Sequence, residues 1–158
     1  MRHAIGLAAI LVALFSSNVC AGGDLGVGVI VGEPTGLSVK CWLDGERAID
    51  GAAGWSFSGK DSFHLHADYL VHRFDLFQNP EDAQGLAGTA FYYGVGARLK
   101  DKDRDGDTAF GIRIPLGITH LFAETPFDLF AEIVPLVDLT PDVDLDLNVA
   151  VGLRFYFK

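Results

Sequence analysis

The sequence is short of cysteine, of basic residues and of long apolar runs, and each shortage excludes something. There are 2 cysteines in 158 residues. One of them, Cys20, falls in the leader read below. If cleavage follows Ala21, Cys41 is the only cysteine left and no internal disulfide can form, although an oxidising compartment would permit one. Lys and Arg number 12 against 21 Asp and Glu, a net charge of −9. That balance argues against nucleic acid and against electrostatic binding to anionic lipid. After residue 21 no stretch reaches the roughly 18 apolar residues that a transmembrane helix needs. No helical period is sustained, and there is neither a low-complexity tract nor a domain boundary. Glycine is abundant, at 19, but it sits inside periodic runs rather than in a linker.

The chain begins with a short basic region, Met1-Arg2-His3. An apolar run from Ala4 to Phe15 follows, too short to span a membrane as a helix. Ser16 to Ala21 is small and polar, and Val19-Cys20-Ala21 offers a cleavage site. Residues 1–21 therefore read as a secretory signal peptide and residues 22–158 as a single domain. A membrane anchor is the alternative reading of the apolar run. Cys20 raises a lipoprotein alternative, but Ser17-Asn18-Val19 resembles a lipobox poorly.

The end of the chain is the most regular part. In Leu145 to Phe157, Leu145, Leu147, Val149, Val151, Leu153, Phe155 and Phe157 fall on one face. Asp146, Asn148, Ala150, Gly152, Arg154 and Tyr156 fall on the other. Side chains of a strand alternate sides, so one face is apolar throughout and the other polar or small. Such a strand is long enough to cross a bilayer when tilted.

The same alternation recurs upstream. Predicted strands cover Leu25 to Gly32, Gly36 to Leu43, Ala48 to Ser58, Ser62 to His72, Ala90 to Lys100, Thr108 to Thr119 and Phe127 to Val137. The outward set includes Val29, Leu37, Val39, Cys41, Ala53, Leu65, Val95, Ile112, Ile114, Leu129 and Ile133. Turn-like residues separate most of the strands, as in Glu33-Pro34-Thr35 and Thr140-Pro141-Asp142. Together these features predict an all-β, eight-stranded antiparallel up-and-down transmembrane β-barrel, a size at which side chains just fill the interior.

Charge decides which face meets lipid. The inward set holds Lys40, Arg98, Arg113 and Arg154 against Asp50, Asp68, Glu132 and Asp146, with His64 and His66 among them. A neutralised polar interior fits a membrane barrel, whereas a soluble lipocalin-like barrel would be apolar inside and charged outside. Aromatic residues mark two rims: Trp55, Phe57, Phe63 and Phe110 at one, and Phe91, Tyr93, Phe127, Phe155 and Phe157 at the other. With both termini periplasmic, the longest link, Arg73 to Thr89, falls on the periplasmic side, although long loops usually face outside.

The segments GVGVIVGEPTGLSVKCWL, AIDGAAGWS, FHLHADYL and YYGVGARL resemble a poorly characterised family of small bacterial outer-membrane β-barrel proteins. The Gly32-Glu33-Pro34-Thr35-Gly36 turn is the most specific piece. In architecture such proteins look like the OmpA membrane domain and OmpX. The C-terminus also resembles the assembly signal of outer-membrane barrels, with Gly152, Phe155 and Phe157 in its key positions. Ala150 stands where a polar residue is usual, and Lys158 follows the terminal aromatic. The resemblance implies a fold and a location, the outer membrane of a Gram-negative bacterium, and brings no catalytic residues.

Three local patterns could carry chemistry. Asp101, Asp103, Asp105 and Asp107, with Gly106, copy the first half of a calcium loop, but Ile112 stands where the bidentate Glu belongs. The bland reading is a solvated hairpin loop. His64, His66 and Asp68 share an inward face and could chelate a transition metal, or simply fill a polar interior beside arginines. Ser62 and His64, or His120, would have to serve a lipid-modifying enzyme, and no matching carboxylate is evident.

The expectation is a monomeric structural or surface-interaction barrel without catalytic activity or cofactor, with Ca2+ as the only candidate ion. Its partners would be outer-membrane lipid, lipopolysaccharide and the barrel-assembly machinery, with no nucleic acid. A soluble periplasmic lipocalin-like barrel binding a small apolar ligand is the first alternative. A lipid-modifying outer-membrane enzyme is the second.

Overall fold

The computed structural model describes residues 24–56, 62–77, 86–102 and 107–157. Residues 1–21, read above as a signal peptide, lie outside them. The described chain forms β1 (Leu25–Gly32), β2 (Thr35–Trp42), β3 (Arg47–Ser56), β4 (Ser62–Arg73), β5 (Thr89–Lys102), β6 (Asp107–Arg113), β7 (Leu116–Leu121), β8 (Phe127–Thr140) and β9 (Asp144–Phe157), with a short 3-10 turn at Asp75–Phe77. Each strand pairs antiparallel with its neighbour. The last strand pairs with the first, from Leu25↔Phe157 to Gly32↔Ala150, and this closes the sheet into a barrel.

One stretch departs from the sequence reading. Thr108 to Thr119, expected as a single strand, is divided into β6 and β7. The cause is Pro115, which has no N–H for the ladder. The backbone is re-satisfied around it: Ile114 N donates to the Pro135 carbonyl and Gly94 N to the Pro115 carbonyl, both at 3.0 Å. Both pieces lie between β5 and β8, so together they fill one place in the ring. Nine strands thus occupy eight positions.

The alternation sorts side chains as the pattern demands. Outward-facing Val29, Val95, Ile114, Ile133, Val149 and Val151 are all half exposed or more. Inside, Ile30, Ala52, Leu70, Tyr92, Phe130 and Ala150 form one apolar layer. Glycines make room for its rings, since a side chain at Gly117 would overlap Tyr92 and one at Gly152 would overlap Phe130. A second cluster of Trp42, Ala48 and Tyr156 closes the end where both termini lie, with Phe74 and Leu121 packed against it. Phe74 belongs to the long β4–β5 link. The described part of that link therefore folds back against the barrel end.

One outward patch is covered. Val39, Cys41 and Ala53 are 2 %, 0 % and 7 % exposed, whereas Leu37 on the same face is 48 % exposed. In the 158-residue chain Cys41 is disulfide-bonded; the expectation of an unbridged cysteine concerns the chain cleaved after Ala21. The sequence has one other cysteine, Cys20, which the expected cleavage after Ala21 would remove.

Candidate functional site: the charged interior

The inward faces of seven strands bring buried charge into the barrel lumen. Lys40, Asp50, His64, His66, Asp68, Arg98, Arg113, Glu132 and Arg154 are each at most 4 % exposed. Two further carboxylates, Asp128 and Asp138, are buried with them at 0 % and 8 %. Asp146, expected inside, is instead exposed at the rim, with 41 % of its side chain accessible. Asp128 and Asp138 have the same parity on β8 as Glu132 and were legible on that ground. Asp138 lay just past the Val137 limit of the predicted strand.

The network has a lower, a middle and an upper group. In the lower group Arg154 Nη2 donates to Asp50 Oδ2 at 2.9 Å, and its Nε to Ser38 Oγ at 2.9 Å. Asp128 Oδ2 accepts from Tyr156 OH at 2.8 Å and lies 3.5 Å from Arg154 Nη1 and 3.9 Å from Lys40 Nζ. Lys40 Nζ also meets His72 Nε2 at 2.8 Å. Both cations rest on aromatic faces: Lys40 4.4 Å from the Trp42 ring centroid and Arg154 3.8 Å from that of Phe130. Cation–π contact of this kind offsets part of the desolvation of a buried charge.

In the middle group Arg113 lies between two carboxylates. Its Nε is 3.0 Å from Asp68 Oδ1 and its Nη2 3.4 Å from Glu132 Oε1. Tyr92 OH donates to Glu132 Oε2 at 2.9 Å. His64 Nε2 is 3.5 Å from Arg113 Nη1 and 3.3 Å from His66 Nδ1. The histidines and Asp68 therefore surround a guanidinium, which takes the place a chelated metal would occupy in the sequence reading. The upper group is a two-bond pair, Arg98 Nε to Asp138 Oδ1 at 2.9 Å and Nη2 to Asp138 Oδ2 at 2.6 Å. Asp146 lies 3.4 Å from the same nitrogen. Paired, hydrogen-bonded charge is the form in which charge survives burial.

The remaining candidates are not brought together. Asp101 is exposed on β5. Asp103 and Asp105 lie outside the described residues, as does the side chain of Asp107. Among the described residues no group of three or more His, Cys, Asp or Glu is arranged for a metal. The Ser62 side chain is likewise outside the description. His120 Nδ1 is 2.8 Å from the Thr89 hydroxyl, and the His120 ring meets Phe122 edge-on at 4.8 Å. At the C-terminus Gly152 is buried and faces inward. Phe155 and Phe157 face outward, 5.0 Å apart and edge to face, with Phe127 5.2 Å from Phe155. On the opposite rim Trp55 and Phe63 pair at 6.3 Å.

Outside the strands, the β2–β3 turn is built on Asp44. The backbone N–H groups of Glu46 and Arg47 donate to its Oδ1 at 2.9 and 2.7 Å, and Arg47 Nε to its Oδ2 at 2.6 Å. Those backbone donors first, and the guanidinium second, hold the Asp44 carboxyl below the usual carboxylate range.

No protein-family model and no curated protein matches the sequence. Among solved structures the chain is similar to the N-terminal β-barrel domain of Pseudomonas aeruginosa OprF, with a TM-score of 0.61 and 16 % sequence identity over 85 % of this chain and 96 % of that one. At that identity the likeness shows the fold. The chain is an antiparallel up-and-down β-barrel with the fold of that domain.

Proposed function

We propose that the chain is a small integral outer-membrane β-barrel with a structural or surface-interaction role and no catalytic activity. The observation that carries this reading is inverted polarity. Apolar side chains are exposed around the outside of the barrel, while four cations and five carboxylates are buried within it. In water the outer face would be an aggregation surface. Against lipid tails it is the stable arrangement, with the buried charges paired inside a sheet whose last strand closes onto its first. The paired rim aromatics support two interfacial girdles.

In this reading both termini and the β4–β5 link face the periplasm. Phe155 and Phe157, with Gly152, form the signal read by the barrel-assembly machinery, and outer-membrane lipid and lipopolysaccharide surround a monomer. The filled interior favours this role over a wide pore. It also speaks against a lipocalin-like carrier, which would need an apolar cavity where this chain has arginines.

Fractionation followed by a gel of unheated against boiled sample tests the proposal. Recovery in the outer membrane with a heat-dependent mobility shift is expected. Recovery as a soluble periplasmic protein would overturn it.

A further inference from the structure

The seam between the first and last strands is uneven. β1 ends at Gly32, opposite Ala150, and the last backbone bond across the seam runs from Glu33 N to the Val149 carbonyl at 3.1 Å. β9 continues down in number to Asp144, still paired with β8 as far as Asp138↔Asp144. Among the described residues, 144–148 are thus held on one side only. Val149 turns its backbone groups toward β1, and backbone direction alternates along a strand. Leu145 and Leu147 therefore point theirs at the open edge. Leu147 N–H is capped by its neighbour's carboxylate, Asp146 Oδ1, at 2.8 Å, as expected of an amide with no strand beside it. Among the described residues Leu145 N–H and both leucine carbonyls have no strand partner.

The side chains of this edge are equally unfinished. Leu145, Val143 and Leu147 are 79 %, 77 % and 60 % exposed, the most exposed large apolar residues described. An apolar band about 25 Å tall is crossed by roughly ten residues of a tilted strand. Counted from Phe157, that reaches only to about Asn148. Val143, Leu145 and Leu147 thus stand at or beyond the outer interface, at the end opposite the termini. The other face of the edge carries exposed Asp144 and Asp146, with Asp142 in the adjoining turn.

We propose that the free edge of β9, residues 144–148, is a docking strand for an extended segment of another protein in which apolar and basic side chains alternate. Main-chain hydrogen bonds would supply affinity, as in strand addition generally. Leucines would pack on one face and Lys or Arg would oppose Asp144 and Asp146 on the other. A second copy is the wrong occupant. Antiparallel registers centred on Leu145 or Asp146 set Asp144 against Asp146, or Asp146 against itself, in a chain whose net charge is already −9.

This inference rests on the membrane reading for the side on which the edge lies, and the test separates the two. Purified protein in detergent micelles is titrated with an end-blocked peptide alternating leucine and lysine, with its leucine–glutamate counterpart, and with the lysine peptide N-methylated on alternate amides. Leu145→Pro removes an edge donor without touching the β8 ladder, a position where proline is tolerated.

Saturable binding of the lysine peptide is expected, weakened about tenfold or more by Leu145→Pro and by N-methylation, and absent for the glutamate peptide. Should the proline variant lose its heat-dependent gel shift, the N-methylated peptide makes the same comparison on wild type. Equal binding of the lysine and glutamate peptides, or binding indifferent to both edge blocks, would overturn the docking strand. So would self-association of the wild type abolished by Leu145→Pro. A wild type that shows the gel shift and binds no peptide sinks this inference alone, whereas loss of the shift in wild type sinks the membrane reading.

Discussion

Asp128 illustrates how much one residue can hold inside this barrel. A single carboxylate oxygen is shared by Tyr156, Arg154, Thr119 and Lys40, at 2.8, 3.5, 3.5 and 3.9 Å. Asp128→Ala would leave two buried cations short of a counter-charge. The expected cost is about 3–5 kcal/mol, the usual scale for breaking a buried ion pair from one side. Urea titration of protein folded into lipid vesicles would measure it, and a loss under 1 kcal/mol, within the range of ordinary surface pairs, would mean that the lower network is not a structural hub.

Asp44 gives the pH dependence at the same scale. Its folded pKa is depressed, so its contribution to the turn is complete above its unfolded value, near 4. That contribution falls away as pH drops through the folded value. Amide exchange at Glu46 and Arg47 should accelerate over that acid window in wild type and lose the dependence in Asp44→Ala. An unchanged profile in the variant would assign the turn's stability elsewhere. Parity found most of the buried set from the sequence, but it placed Asp146 inside, where the structure has it exposed at the rim, and the reading passed over Asp128 and Asp138. Which members pair was hidden, because Arg154 meets Asp50 and Ser38 across the seam, a contact that exists only once the ring has closed.

At the scale of elements, alternation with period two was the readable signal: seven of the observed strands lie close to the limits of one predicted strand each, and β6 and β7 share the eighth. The division at Pro115 was in plain view as a residue. Its effect was not, because whether a missing N–H ends a strand or merely breaks it depends on what β5 and β8 offer beside it. The covered patch at Val39 and Cys41 was also illegible from a face that reads as uniformly apolar.

Elements carry the sharpest test of orientation. Ile114 and Val151 are 51 % and 50 % exposed on the outer wall. An arginine at either site, placed near the bilayer midplane, should cost about 2–4 kcal/mol and reduce assembly, read as the folded fraction on an unheated gel. If both variants assembled like wild type, these positions would not face lipid.

For the whole molecule, ring closure was inferable from the long alternating last strand, whose backbone edge in a membrane barrel has to pair with the first strand. The rim was not. β1 and β2 have 8 residues each, whereas β5, β8 and β9 have 14. Because the strands start level at the terminal end, the far rim is cut obliquely. Six residues correspond to about 20 Å along a strand and about 15 Å along the axis of a tilted barrel.

A wall of two heights cannot match one bilayer. In the membrane reading, lipid beside the short side would thin, or the barrel would lean until the apolar belt averages out, at a cost of fractions of a kcal/mol per ångström of mismatch. The mean strand tilt seen by polarised infrared should therefore change between short-chain and long-chain lipids, and a tilt indifferent to acyl length would mean that lipid meets a belt of even height. In the membrane reading, the lopsided seam would thus make the protein responsive to the thickness of the bilayer around it.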